Sequence, residues 1–86
     1  MWYNQRKGGI AVETAEEYVR QGRAWAAAGD IPRAEEAFRR ALARYEALGC
    51  DQEARDLCLT LADLAMEEGN LHGADVYYVR ALRYPK

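Results

Sequence analysis

The chain is poor in the residues from which most catalytic and metal sites are built. Its 86 residues include one histidine, His72, and two cysteines, Cys50 and Cys58. The cysteine spacing matches neither a zinc signature nor a redox-active CxxC pair, and no motif of a recognised reaction surrounds the histidine. The sequence therefore predicts a protein that is not an enzyme, with no cofactor and no bound metal.

Long apolar runs and an excess of basic residues are also missing. No segment approaches the roughly 18 consecutive apolar residues of a membrane span, and the N-terminal residues show no apolar signal-peptide core. The formal net charge is −2, whereas a nucleic-acid binder usually carries a basic stripe. Two unpaired cysteines fit a reducing compartment. We therefore expect a cytoplasmic protein that binds neither nucleic acid nor a membrane.

Glycines divide the chain at equal intervals of 20 residues, at Gly29, Gly49 and Gly69. Glycine tolerates the left-handed backbone that ends a helix. Each glycine is followed closely by a residue whose short side chain can cap the next helix, namely Asp30, Asp51 and Asn70. An earlier helix start is marked by Thr14, with Glu17 completing a capping box. This punctuation predicts helices that end and restart within two or three residues.

The apolar residues between these turns recur with helical period. We expect four helices, over residues 13–28, 31–48, 52–68 and 71–84. Short connections between helices of this length force neighbours to lie antiparallel, as in helical hairpins. The predicted fold is therefore all-α, with a flexible N-terminal arm over residues 1–12 and a single helical domain over residues 13–86.

A shift of 40 residues places the second half of the chain on the first. Under this shift Phe38 falls on Tyr78, Ala41 on Ala81 and Leu42 on Leu82. Matched residues at one fixed offset indicate an internal repeat. The predicted repeats cover residues from about 13 to 49 and from about 50 to 86.

Small residues, an aromatic residue and a Gly-Asp or Gly-Asn turn at these offsets resemble the tetratricopeptide repeat family. The matching residues are Gly22, Trp25, Gly29, Asp30, Ala34, Phe38 and Ala41, then Ala62, Gly69, Asn70, Ala74, Tyr78 and Ala81. The resemblance implies two antiparallel hairpins stacked as a fragment of an α-solenoid. The period of 40 exceeds the usual 34 of that family, and a generic four-helix bundle is the alternative.

The resemblance also implies a binding face. Where these repeats bind partners, they usually do so on the concave side, which the first helix of each hairpin lines. The corresponding residues here are Arg20, Arg23, Asp56, Leu59, Thr60, Asp63, Met66 and Glu67. Acidic side chains with apolar ones between them favour a protein or peptide partner that is basic or amphipathic.

The last predicted helix is apolar on more than one side, and two repeats are fewer than such stacks commonly need. We predict an association surface of Val76, Tyr77, Val79 and Tyr84, and a homo-oligomer. The predicted function is a non-catalytic protein-protein interaction module that self-associates or binds a protein segment through the concave face or the last helix. Two alternatives stay open: a structural or engineered repeat building block for assembly, and a sensor fragment of a larger regulator.

Overall fold

Four helices make up almost all of the described chain. The computed structural model describes the backbone of residues 2–84 and the side chains of residues 12–84. The helices are α1 (Trp2–Ala27), α2 (Ile31–Leu48), α3 (Asp51–Glu67) and α4 (Leu71–Ala81). Helix α1 packs on α2, α2 on α3, and α3 on α4, and these residues include no strand. The predicted all-α arrangement of helical hairpins is confirmed.

The three turns between helices share one geometry. Gly29, Gly49 and Gly69 have φ values of +83°, +73° and +76°. The residue after each glycine donates its amide to the carbonyl five residues back, as Asp30 does to Trp25 at 2.9 Å. This is the Schellman arrangement, which satisfies carbonyls left free at a helix end. Because residues with a Cβ rarely adopt this backbone, glycine ends each helix at the same phase of the repeat.

Side-chain caps begin two of the three later helices. The side chains of Asp30 and Asn70 accept from the backbone amide three residues further on, at 3.2 Å and 2.9 Å. Helix α3 is different, since its N-cap is Cys50, which makes no side-chain capping bond, and Asp51 is its first residue. An acidic residue in the first turn still interacts favourably with the helix dipole. The predicted cap at Asp51 is therefore wrong by one position.

Helix α1 is longer than the sequence predicts. Its helical backbone begins at Trp2, so the predicted start after residue 12 is wrong as a helix boundary. A glycine pair within a helix weakens it but does not end it unless the backbone turns left-handed. The side chains of residues 1–11, on which the predicted arm depends, lie outside the described residues. None of the described helices, α1 included, combines the length and the apolar character needed to cross a membrane.

Small side chains at helix crossings form much of the core. Ala34, Ala54 and Ala74 lie 20 residues apart and are all buried near the start of their helices. Larger side chains fill the space between helices, among them Phe38 and the free, fully buried Cys58. Close crossings need small residues because protein interiors are tightly packed. The 20-residue period of the turns is thus also the period of the packing.

Two aromatic residues of the repeat pattern are not in the core. Trp25 and Tyr78 are both exposed. The ring of Trp25 lies under the guanidinium of Arg33, at 4.7 Å from its carbon to the ring centroid, a favourable cation-π distance. Helical period places both residues beside the core, but neighbouring helices leave these positions uncovered.

Candidate functional site

A groove separates α1 from α3. Both helices pack on α2 and have no close backbone contact with each other over the described residues, so α2 forms the floor between two walls. The groove has a volume of about 400 Å³. Its lining consists of Val19, Arg23 and Ala26 from α1, Phe38 and Tyr45 from α2, and Glu53, Asp56, Leu57, Thr60 and Leu64 from α3.

The lower part of the groove is apolar. Phe38, Leu57 and Leu64 belong to the main buried cluster, and Val19 packs against that cluster. Apolar side chains of a bound segment would therefore meet apolar side chains here. Sites of this kind, apolar below and polar at the rim, are typical of binding clefts.

The rim of the groove is charged and mainly acidic. Glu53 and Asp56 are exposed on the α3 wall and Arg23 on the α1 wall. Burial raises the pKa of Tyr45 at the floor, and the carboxylates of Glu16 and Glu53 raise it further, although Arg23 opposes them. Three carboxylates against one guanidinium give this part of the groove a negative potential.

Three of the eight predicted concave residues line this groove, namely Arg23, Asp56 and Thr60. The hydroxyl of Thr60 donates to the backbone carbonyl of Asp56 at 3.1 Å. That bond lies within α3, so the hydroxyl already has an acceptor. The charges of Arg23 and Asp56 are the part of the prediction that the groove brings together.

Arg20, Leu59 and Met66 do not line the groove. Arg20 pairs with Glu17 at 2.5 Å, and both side chains are largely exposed. Leu59 and Met66 are exposed on α3. Their placement corrects the sequence prediction, because the resemblance indicates which helices border the concave side but not how each helix is rotated about its axis.

Asp63 and Glu67 also lie outside the groove lining. Asp63 accepts a long hydrogen bond from the hydroxyl of Tyr78, at 3.5 Å, so this carboxylate faces α4. Glu67 is exposed in the last turn of α3. The acidic wall of the groove is therefore built by Glu53 and Asp56.

The predicted set omits Glu53, Leu57 and Leu64. These residues follow one another at i, i+4 and i+11 along α3, with Asp56 and Thr60 at i+3 and i+7. Such spacings describe one stripe of a helix. The stripe was visible in the sequence, but only the position of α1 and α2 shows that it faces a groove.

A separate cluster joins α2 to the end of α4. Arg80 donates from Nε and Nη2 to the two carboxylate oxygens of Glu46, at 3.2 Å and 2.6 Å, and the Tyr84 hydroxyl donates to the same carboxylate. Burial alone would raise the pKa of Glu46, but the bonds from Tyr84 and Arg80 outweigh it and lower the pKa. Bidentate arginine-carboxylate pairs are among the stronger polar contacts. This cluster fixes the position of α4 relative to α2.

The predicted association residues divide into two groups. Tyr77 and Tyr84 are half-buried and pack against the core, and Tyr84 is held by Glu46. Val76 and Val79 are exposed. Two further residues of this region, Leu71 and Leu82, are exposed although they are large and apolar. The structure thus places an apolar surface on α4, with a partly different membership from the predicted one.

Comparison of the chain with protein-family models, with curated proteins and with solved structures found no match. The resemblance to the tetratricopeptide repeat family therefore rests on the residues and spacings of the chain itself. Two surfaces remain from which function can be argued: the acidic-rimmed groove between α1 and α3, and the exposed apolar side of α4.

Proposed function

We propose that the chain is a non-catalytic protein-interaction module of the tetratricopeptide type, whose α1-α3 groove binds a basic, amphipathic segment of another protein. The observation that carries the proposal is the combination of an apolar floor with an acidic rim. Each feature alone is common on protein surfaces, whereas together they match one class of partner.

The floor accounts for the apolar half of the partner. The groove volume of about 400 Å³ lies within the usual size range of binding clefts, roughly 300 to 1,000 Å³. Fully burying one Leu- or Phe-sized side chain stabilises by about 1.5 to 3 kcal/mol, and association costs offset part of that gain. We expect affinities no tighter than about micromolar.

The rim accounts for the basic half. Lys or Arg side chains of the partner would approach Glu53 and Asp56 on one wall and Glu16 near the floor, while Arg23 opposes them. Exposed charges of this kind mainly increase the association rate and set specificity. Because salt screens exposed charges beyond about 10 Å at 0.1 M, we expect binding to weaken with ionic strength.

Charge reversal on the α3 wall tests the proposal. The probe is a fluorescent 15-residue amphipathic peptide of Leu and Lys, with a Leu and Glu peptide for comparison. We expect Glu53→Lys with Asp56→Lys to weaken binding of the Lys peptide at least about tenfold, since attraction becomes repulsion. Fluorescence anisotropy measures the affinity, and circular dichroism verifies that helicity is retained.

The matched control is Glu13→Lys with Glu17→Lys. These two exposed residues of α1 line a different surface depression, and their reversal changes the net charge by the same amount. We expect less than about a twofold change in affinity. Equal weakening by both double variants would show that only the overall charge matters, and the groove would then not be the binding site.

A further inference from the structure

One side of α4 is exposed although it is apolar. Val76 and Val79 are 49% and 52% exposed, and Leu82, just after the helix, is 83% exposed. Their spacings of three residues place them on one helical stripe. Leu82 keeps right-handed helical backbone, with φ −69° and ψ −14°, so the stripe continues past Ala81. Clustered apolar exposure of this kind usually marks a contact surface.

The repeat itself does not account for Val76 and Val79. A shift of 40 residues places them on Glu36 and Arg39 of α2, which are exposed charged residues. A further hairpin stacked as α3 stacks on α2 would leave these positions in solvent, as it does in α2. Two valines at positions that are charged in the other hairpin therefore indicate a contact of a different kind from repeat stacking.

The opposite end of the molecule does not complement this surface. The outer side of α1 carries exposed charged side chains, including Glu13, Glu17 and Arg20. An apolar α4 docked there would desolvate these charges at a cost of several kcal/mol unless each were paired. Head-to-tail assembly of copies is therefore disfavoured, and α4 of a second copy is the better match.

The charges that border the stripe choose its orientation. Asp75 and Arg83 are both exposed and line one continuous depression with Val76 and Val79. Asp75 lies four residues before Val79 and Arg83 four residues after it, while Val76 and Leu82 lie three before and three after. The stripe is thus self-complementary about Val79 when two copies run antiparallel. Parallel copies would place like charges together.

We infer that two copies of this chain pair through α4, antiparallel about a two-fold axis at Val79. Val79 then meets its symmetry mate, Leu82 meets Val76 of the second copy, and Asp75 meets Arg83 of the second copy on both sides of the axis. An isologous contact of this kind closes at two subunits. It leaves the groove between α1 and α3 open, and it does not depend on the proposed peptide binding.

The dimer should be weak. Helix α4 has 11 residues, so two such helices bury an area at or below the low end of specific interfaces, roughly 1,000 Å² in total. We expect dissociation in the micromolar range, which sedimentation equilibrium of the full chain between about 1 and 500 μM resolves. A chain that stays monomeric throughout overturns the inference and leaves the surface to a different protein.

Exchange of the two charges tests the orientation. Asp75→Arg alone and Arg83→Asp alone each place like charges together in the antiparallel dimer, and we expect each to raise the dimer Kd about tenfold. The double variant restores opposite charges and should return the Kd to within about threefold of the unmodified chain. Failure of this rescue overturns the antiparallel register, and all three variants are altered only at exposed positions, so folding is preserved.

A disulfide test locates the axis. In a Cys50→Ser background, Val79→Cys brings two thiols together at the proposed axis, and oxidation should cross-link most of the protein. Leu59→Cys in the same background is the control, because Leu59 is also an exposed apolar residue but lies on α3. Equal cross-linking of the two variants, measured by non-reducing electrophoresis, would show random collision and contradict the axis.

Discussion

The two hairpins of this protein have the same local pattern but different surroundings. Helix α2 is packed between α1 and α3, whereas α4 packs on α3 alone. Leu42 and Leu82 occupy equivalent positions, yet Leu42 is 2% exposed and Leu82 is 83% exposed. A repeat pattern thus specifies where a side chain lies around its helix, and the neighbouring helix decides whether that position is core or surface.

The ends of the molecule differ for the same reason. The outer side of α1 carries charges and can face water, while α4 presents valine and leucine. A terminal helix with a polar outer side completes a stack, because no apolar surface is left to cover. The N-terminal end is therefore finished in this sense and the C-terminal end is not.

The strongest test of this comparison replaces each of the two leucines by alanine. We expect Leu42→Ala to destabilise the fold by about 2 to 5 kcal/mol, because it removes buried methyl groups and leaves a cavity. Leu82→Ala should change stability by less than about 0.5 kcal/mol, as exposed substitutions usually do. Urea denaturation at low protein concentration measures both.

Comparable losses for the two leucine variants would mean that Leu82 is buried in solution. Because the measurement is made at a concentration where the proposed dimer dissociates, that outcome would contradict the exposure of the α4 surface itself. A large effect of Leu82→Ala that grows with protein concentration would instead support association.

The close crossing of α1 and α2 distinguishes the first hairpin from the second. A Cβ added at Gly22 would lie 2.7 to 2.9 Å from three ring carbons of Phe38, and the buried ring has little room to move. Gly22→Ala should therefore destabilise by about 1 to 3 kcal/mol, although alanine favours the helix by about 1 kcal/mol. The urea midpoint measures the change.

A second substitution checks the cause of that loss. Phe38→Leu removes ring atoms, so we expect the Gly22→Ala effect to shrink in the Phe38→Leu background, a coupling of at least about 0.5 kcal/mol. The equivalent residue in the second hairpin is Ala62, which already carries a methyl group. If Gly22→Ala raised stability, the contact between Gly22 and Phe38 would not limit the helix approach.

The smallest effect is expected at the contact between the hairpins. Glu46→Gln removes the charge that binds Arg80 and Tyr84, and we expect a loss of about 1 kcal/mol at pH 7. The pKa of Glu46 is lowered in the folded state from an ordinary value of 4.5. Its ion pair therefore stabilises the fold above pH 4.5 and stops doing so as pH falls through the folded pKa.

The difference in stability between Glu46→Gln and the unmodified chain should accordingly vanish on acidification. The control is Glu36→Gln, which removes the exposed pair with Arg40 within α2, at 2.9 Å. Exposed pairs of this kind contribute about 0.3 to 0.5 kcal/mol. Thermal melts between pH 3 and pH 7 measure both, and a pH-independent loss for Glu46→Gln would assign the effect to packing.

Features that depend on a few adjacent residues could be predicted well. The turns at Gly29, Gly49 and Gly69 and the caps at Asp30 and Asn70 follow from short-range hydrogen bonding, so the four-helix pattern was readable. The start of α1 was not, since Thr14 and its neighbours can cap a helix or continue one with little difference in energy. Nothing local distinguishes these outcomes.

The groove was only partly predictable. The resemblance selected α1 and α3 and thereby Arg23 and Asp56, but it also selected Asp63 and Met66 and omitted Glu53. Residues on neighbouring stripes of α3 differ by small rotations about the helix axis, and only packing against α2 fixes that rotation. The contact of Glu46 with Arg80 joins residues 34 apart, a distance over which sequence spacing carries no signal.

By itself, the sequence determined the number of helices, the phase of their turns and the small residues at their crossings, because backbone hydrogen bonds and left-handed glycines act over about five residues. The tertiary structure decided which stripe of α3 faces a groove, why Tyr84 is held while Val79 is exposed, and which end of the stack is covered. These depend on which helices become neighbours, since burial is a property of two surfaces in contact.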